Sequence, residues 1–410
     1  MSSKMDTSES PEDKDESFYF KLDTLPPEIF LHICSFLSAK YVINVLSQVC
    51  EKFKDIIENE STWRMRIFES WPNRYPLVPA PADFDWKEAC IEREDHYDLW
   101  KNKAENMHLY HLKDAHFGSV NVVSLLEEGS MCASGGRDGA LKLWSISSLE
   151  EETNPRDYLS CLINSTTGAH GSAWLWSLTY DKSNKTLYSG GFDCNIKTWD
   201  LENPSVVLST HSLSSPILCL AYSDNNLTSG CYGRSVSLFD PRTNLQPVWQ
   251  HIHHQRPVIC IVTDDKHVIS GSEDKSIIVY DKSARKVLKT INLEGFPLSM
   301  SYEYGQLLVG DVLGSIHVID PVSGNFDLLK SYESGHKTKI TGIQHSLGSV
   351  MTCSTDKTIR VLEPSENPSI ITVLNVGSEV SKISAYKTTL ASANTDDSIS
   401  IWLPKEEEEL

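Results

Sequence analysis

Between residues 105 and 404 the chain alternates apolar and polar positions in short runs, each broken by Gly, Ser, Asn or Asp. A period of two is the pattern of strands that bury one face. Seven of these runs share a form: a small residue, a tight turn with Asp at its usual fourth position, then an alternating strand closed by an apolar residue. They are SGGRDGALKLW ending at Trp144, SGGFDCNIKTWD at Asp200, SGCYGRSVSLFD at Asp240, SGSEDKSIIVYD at Asp281, VGDVLGSIHVID at Asp320, TCSTDKTIRVLE at Glu363 and SANTDDSISIWL at Leu403. The closing residues Trp144, Trp199, Phe239, Tyr280, Ile319, Leu362 and Trp402 follow one another at intervals of 55, 40, 41, 39, 43 and 40. Strands and turns repeating near every 40 residues, with no helical period among them, predict the blades of an all-β, seven-bladed propeller.

A different pattern precedes the repeats. In KLDTLPPEIFLHICSFLSAKYVINVLSQVCEKFKDIIENESTWRMR, Ile29, Phe30, Ile33, Phe36 and Leu37 fall at helical spacing and give one apolar face. Val42, Val45 and Leu46 suggest a second helix, and Val49, Phe53, Ile56 and Ile57 a third. Asp23 or Thr24 is placed to cap the first helix, with Pro26 and Pro27 where a missing backbone N–H costs little. Fewer than fifty residues cannot bury this much apolar surface alone, so part of it is expected to face a partner. The stretch WPNRYPLVPAPADF then places four prolines in fourteen residues, a stiff crossing. In DWKEACIEREDHYDLWKN, Trp86, Cys90, Tyr97 and Trp100 recur near helical spacing and predict a linker helix.

The repeats resemble the WD-repeat family over roughly residues 105–404, a match carried by the runs above and by His170 and His336 some twenty residues ahead of the turn Asp, more loosely by His116, His211 and His254. The resemblance implies that each repeat supplies the outer strand of one blade and the inner strands of the next, so Asn106 to Leu112 is expected to complete the last blade. It also implies that the recurring His, Ser, Asp and Trp form a buried hydrogen-bond network. Blade three, with Gly233 at the Asp position, and blade five, with Leu313 there and no clear upstream His, are expected to be less pinned.

The segment LPPEIFLHICSFL, then LSQVCEKF, then Trp63, resembles an F-box. In that family the segment docks on the Skp-type adaptor of a cullin-RING ubiquitin ligase. The resemblance places the contacts at Leu25, Pro26, Pro27, Ile29, Phe30, Ile33, Phe36, Leu37, Val49 and Trp63. Phe53 stands where the family often has Trp, an exchange of one large aromatic for another. The expected organisation is an acidic disordered segment at 1–21, a small helical F-box at 22–68, a linker with its helix at 69–104, the seven-bladed propeller at 105–404 and an acidic tail at 405–410.

Charge and composition narrow the function. A formal charge of −19 argues against a general nucleic-acid binder, which needs clustered Lys and Arg. No apolar run approaches the ~20 residues of a membrane span. Ten cysteines without paired spacing point to reduced thiols in the cytoplasm, the nucleus or both. The extra residues at 148–162, with EEETNPRD, predict a surface loop between blades one and two. Ser, His and Asp recur once per repeat, whereas a hydrolase needs its triad once, so no catalytic residue is assigned. Neither metal-ligand spacing nor a phosphate loop occurs, and no cofactor is expected.

Recognition remains. The resemblance places it on the propeller face around the central channel, at the residue before each turn Asp and at the start of each inner strand. These positions hold Arg137, Phe192, Tyr232, Glu273, Val312, Thr355 and Thr395, with Trp174, Arg256, Phe296, Lys339 and Glu379. The candidate substrate contacts are Arg137, Trp174, Phe192, Tyr232, Arg256, Glu273, Phe296 and Lys339. With only Arg137 and Arg256 to grip a phosphate bidentately, a mixed aromatic and polar contact is the stronger expectation. The expected function is a non-catalytic substrate receptor of an SCF-type ubiquitin ligase. The alternative is a WD-repeat scaffold with no ligase role.

Overall fold

The computed structural model describes residues 24–80, 84–151, 162–166 and 168–405. The expected disordered segment at 1–21, the acidic tail beyond Lys405, Asp23 and most of the 148–162 loop lie outside them. Within that loop a short helix, Ser147–Glu151, is described. The chain divides into two compact units, 1–67 and 68–410.

The first unit is a set of short helices: α1 (Pro27–Cys34), α2 (Ala39–Asn44), α3 (Glu51–Glu58) and α4 (Glu60–Ser70). Helix α1 starts at Pro27 with Pro26 at its N-cap and no side chain capping it, so Thr24 does not take the expected role. Proline in the first turn lacks only an N–H that has no intrahelical acceptor. Ser38 caps α2 by accepting the Tyr41 amide at 3.2 Å. The core is aromatic: Phe30 stacks on Phe53 with ring centroids 4.0 Å apart, and Trp63, almost fully buried, donates its indole N–H to the Ile57 carbonyl at 2.7 Å. From α4, Arg66 reaches back to donate to the Cys34 carbonyl at 2.8 Å and to that of Leu37, tying α4 to the turn that follows α1.

The second unit holds seven four-stranded antiparallel sheets. Blades 1 to 6 are each built from consecutive strands, the first being Val120–Leu126, Met131–Gly136, Leu141–Ser145 and Leu162–Thr166. Blade 7 joins Val380–Tyr386, Thr389–Asn394 and Ile399–Pro404 to Met107–Leu112 from the start of the ring, with Leu109 opposite Trp402 and Leu112 opposite Ile399. This is the closure expected of Asn106 to Leu112, and it completes the last sheet with a strand from the start of the ring. Apolar side chains fill the wedges between blades: Val122, Leu126 and Leu143 of blade 1 meet Leu175, Leu178, Leu187 and Trp199 of blade 2. The glycine at the second position of the first five repeats has its reason here. A Cβ on Gly135 would lie 2.3 Å from the Leu175 side chain, and one on Gly190 2.7 Å from Ile217.

The linker belongs to the propeller unit. Helix α5 (Trp86–Lys101), capped by Asp85, buries Trp86, Ala89, Cys90, Arg93, His96 and Trp100, positions one helical face apart. Trp100 enters the core shared by blades 6 and 7, and His96 bonds the Ser349 hydroxyl at 2.8 Å. Gly348 lets the helix come close, since a Cβ there would meet the Glu92 carbonyl at 2.4 Å. Arg93 lies between the rings of Trp71 and Tyr75, at 4.3 and 4.5 Å from their centroids.

Candidate protein-recognition site

Three repeated devices set the geometry of the propeller face. In blade 1, Asp138 can only accept, so His116 donates Nδ1–H to it at 3.0 Å; Nε2 then accepts the Ser134 hydroxyl at 2.8 Å, and Ser134 accepts the Trp144 indole N–H at 2.9 Å. Blade 2 repeats this chain with His170, Asp193, Ser189 and Trp199, each bond at 2.8 Å. Blades 4 and 6 keep the His–Asp and His–hydroxyl bonds through His254, Asp274 and Ser270, and through His336, Asp356 and Thr352. Burial opposes the charged form of Asp138. The His116 bond and the Phe117 and Ala140 amides outweigh it and bring the carboxyl down to about 2. Asp356 is brought to about 2 against the same opposition, by the Thr358 hydroxyl, the Lys337 amide and His336.

Blade 5 corrects the expectation that it lacks such a network. Asp311, two places before Leu313, accepts the amides of Leu313 and Ser315 at 2.9 and 2.8 Å and receives a bond from His317 Nε2 at 3.1 Å. The acid and the histidine are both present, moved into one hairpin. Blade 3 makes do with the Ser215 hydroxyl accepting the Gly233 amide at 2.7 Å. Blade 7 uses Asn394, held by Ser392, Ser398 and Ser400. His211 is not part of a network and instead packs edge-on against Phe239 at 5.2 Å.

The second device is a backbone bond at the rim. The amides of Arg137, Phe192, Tyr232, Glu273, Val312 and Thr395 donate to the carbonyls of Ser119, Trp174, Pro216, Pro257, Phe296 and Glu379, at 2.8–3.1 Å. Each bond ties the residue before the turn position to the start of its blade's inner strand, so the two sets of sequence candidates share one rim. Among them Arg137, Arg256, Lys339 and Tyr232 are exposed, Trp174 is 38% exposed, and Phe192, Glu273 and Phe296 are half-buried. One group converges: the Arg137 guanidinium lies 4.6 Å from the centre of the Trp174 ring, and Trp174, Trp176 and Phe192 sit within 5.3–6.2 Å of one another. Tyr232, Arg256, Glu273, Phe296 and Lys339 lie on other blades of the same rim and make no ring or ion contact with that group.

The third device was not legible as a site. Every inner strand carries a β-bulge at its second residue, leaving Asn121, Trp176, Leu218, Ile259, Leu298, Thr341 and Ser381 out of register with the neighbouring strand. All seven line a central cavity of about 730 Å³. Arg137, Lys339, Thr355, Glu379 and Thr395 also line it. Phe117, 88% exposed beside His116, is a further rim aromatic that sequence reasoning missed.

In the first unit the ten candidate contacts separate. Leu25, Phe30 and Trp63, also expected at the adaptor contact, are buried in the core of the unit. Ile29, Ile33 and Phe36 are exposed along one side of α1 and its C-terminal turn, Phe36 by 77%, with Val49 exposed by 61%. Pro26 and Pro27 are exposed at the helix start and Leu37 is half-buried.

Comparison with known proteins agrees with this division. An F-box-like family model matches residues 22–69, and the WD domain, G-beta repeat model matches 107–145, 161–200 and 245–281. F-box/WD repeat-containing protein 9 of Homo sapiens is 36% identical over 379 residues, covering 92% of this chain and 82% of that protein, and its Bos taurus counterpart is 35% identical over the same span. F-box/WD repeat-containing protein mec-15 of Caenorhabditis elegans is 24% identical and covers 94% and 96% of the two chains. Among solved structures, the WD40 β-propeller domain of Doa1 superposes with a TM-score of 0.60 at 21% identity, over 74% of this chain and 97% of that one.

Proposed function

The chain belongs to the F-box/WD-repeat family, and from that premise we propose that it is a non-catalytic substrate receptor of an SCF-type ubiquitin ligase. The first unit docks the Skp-type adaptor, which connects to the cullin, and the propeller holds the protein to be ubiquitinated. The observation that carries the reading is the open apolar side of α1. Ile29, Ile33 and Phe36 stand out from a helix whose other side is locked by Phe30 against Phe53, a ready-made interface core next to a rigid support. Leu25, Phe30 and Trp63 then act by holding that face, and Pro26, Pro27, Leu37 and Val49 border it.

On the propeller, the rim supports protein recognition. Arg137 on Trp174, backed by Trp176 and Phe192, combines the residue types that dominate interface energetics. Tyr232, Arg256, Glu273, Phe296 and Lys339 complete the proposed contact ring. In blades 1 and 2 the histidine is engaged by its own turn acid and its own strand, a use that fixes loops and leaves no group poised for reaction. The test is affinity purification with the proteasome blocked. Proteins retained by the wild type and lost from an Arg137→Glu, Tyr232→Ala double variant are the substrates, and their ubiquitin conjugates are expected to disappear when Ile33→Asp and Phe36→Asp are introduced. Conjugates that persist without the α1 face contradict the ligase role and favour the scaffold.

A further inference from the structure

In blades 1, 2, 4 and 6 the hydroxyl bonded to the network histidine is out of reach of solvent. Ser134, Ser189, Ser270 and Thr352 are at most 4% exposed, and the Trp144 and Trp199 indoles already donate to the first two. Blade 5 turns the arrangement outward. His317 lies on the strand Ser315–Asp320, and its cross-strand partner is Ser331 of the outer strand Asp327–Glu333. Directly opposed residues of an antiparallel pair place their side chains on one face of the sheet. There Ser331 Oγ lies 2.7 Å from His317 Nδ1, and His317 Nε2 lies 3.1 Å from Asp311 Oδ2. Asp311 and His317 are buried, while Ser331 is exposed.

The direction of these bonds follows from the acid. Burial opposes a charge on Asp311, but the His317 bond and the amides of Ser315 and Leu313 hold its carboxyl below the ordinary carboxylate range. A carboxylate only accepts, so Nε2 carries the imidazole proton and Nδ1 offers its lone pair to the Ser331 hydroxyl. A buried acid thus fixes the tautomer of a buried base, and that base holds a hydroxyl open to solvent. These are the parts of an activated nucleophile: the attacking group, its base and the group that orients the base. The outer strand is the last of its sheet, so alternate amides along it point away from any partner strand, toward the side from which a reagent would approach.

We propose that Ser331 is a nucleophilic serine that accepts an acyl group from an activated carboxylic ester, with His317 as its base and Asp311 as the residue that positions the base. Ser331 Oγ bonds to the acyl carbon as its proton passes to His317 Nδ1. The bond from that carbon to the leaving oxygen breaks, and the departing alcohol takes the proton from His317. An O-acyl serine and a free alcohol result, with nothing oxidised or reduced. The site is one of covalent modification and leaves the receptor reading unchanged.

The test treats the intact chain briefly with p-nitrophenyl acetate and maps the acetylated residues by mass spectrometry. Neutral hydroxylamine then removes serine esters and spares lysine amides. Ser331 is expected to react about a hundredfold faster than Ser323, the general-base contribution. Ser323 is an exposed serine of the same blade whose hydroxyl oxygen accepts the Asn325 amide. Ser331→Ala is expected to lose the ester adduct at unchanged melting temperature, and His317→Gln to bring Ser331 down to the rate of Ser323. If His317→Gln fails to fold, the comparison of the two serines in the wild type decides without it. The ring-nitrogen NMR shifts of His317 test the part given to Asp311, and are expected to show the Nε2–H tautomer. Equal rates at Ser331 and Ser323 in the wild type overturn the proposal, as does an Nδ1–H tautomer at His317, which has no lone pair to take the serine proton.

Discussion

Arg137 lies with its guanidinium 4.6 Å from the centre of the Trp174 ring, a contact made from blade 1 to blade 2 across the rim. The ring orients the guanidinium without neutralising it, because a cation–π contact leaves the outer N–H groups free to donate.

Trp174→Ala is therefore expected to impair substrate capture as strongly as Arg137→Glu, by about 2 kcal/mol or more, although it removes no charge. Neither change is expected to lower the melting temperature, since both side chains are outside the blade cores. Competition binding with a purified substrate and a melting curve for each variant check this. Loss of capture in Arg137→Glu alone would show that Trp174 plays no part in presenting the guanidinium.

On the helical unit, opposite sides of α1 are expected to respond differently. Phe36→Asp should reduce adaptor affinity by several kcal/mol at unchanged stability, because it places a charge at the centre of an interface. Phe30→Ala should instead lower stability by about 3–5 kcal/mol through the cavity left beside Phe53. Titration calorimetry with the adaptor and thermal denaturation separate the two outcomes. A destabilised Phe36→Asp protein would place Phe36 in the core.

How far the sequence could be read follows from such pairs. Helical spacing finds the apolar residues of α1, but Phe30 and Ile29 are neighbours in sequence about 100° apart around the helix, and only the position of Phe53 decides which one turns inward. The 40-residue period, the closing strand and the four His–Asp blades were legible because each repeat states the same rule again. Blade 5 was not, because Asp311 stands two places early and His317 comes from the following strand, so the same function has a different spacing. The channel ring was also hidden. A bulge adds a residue that no alternation marks, and Trp176 reads in sequence as one more aromatic in WLW.

The networks make a comparative prediction. Asp193→Ala leaves the buried His170 without its acceptor and is expected to cost about 1–3 kcal/mol. Asp311→Ala should cost a similar amount, since it strands His317 and two amides. Leu313→Ala, at a side chain 61% exposed, should be near neutral. Denaturant unfolding monitored by circular dichroism measures all three. A large loss for Leu313→Ala with none for Asp311→Ala would refute the role given to Asp311.

Acid should unfold the protein in two stages. Burial holds His96 and His345 neutral, with pKa values of about 4 against an ordinary 6.5. Because the unfolded chain takes up these protons first, stability is full above about pH 6.5 and falls as pH drops toward 4, by on the order of 3 kcal/mol for each. Asp138 and Asp356 sit below the ordinary 3.8, so their contribution is full above that value and is lost between about pH 4 and 2. Allowing for partial screening, this is about 1–2 kcal/mol for each carboxylate. Melting temperatures across this range for wild type and His345→Gln test the assignment. An unchanged slope between pH 6.5 and 4 in the variant would mean that His345 does not titrate there.

The proposed receptor joins a ligase adaptor, through α1, to a propeller that selects substrate. Its most direct test is gel filtration of the intact protein co-expressed with the Skp-type adaptor and the cullin, comparing wild type with Phe36→Asp. Co-elution of wild type with both partners as a single stoichiometric complex, and elution of a folded Phe36→Asp chain without them, is the predicted result. A wild-type chain that elutes apart from adaptor and cullin at micromolar concentration would contradict the account.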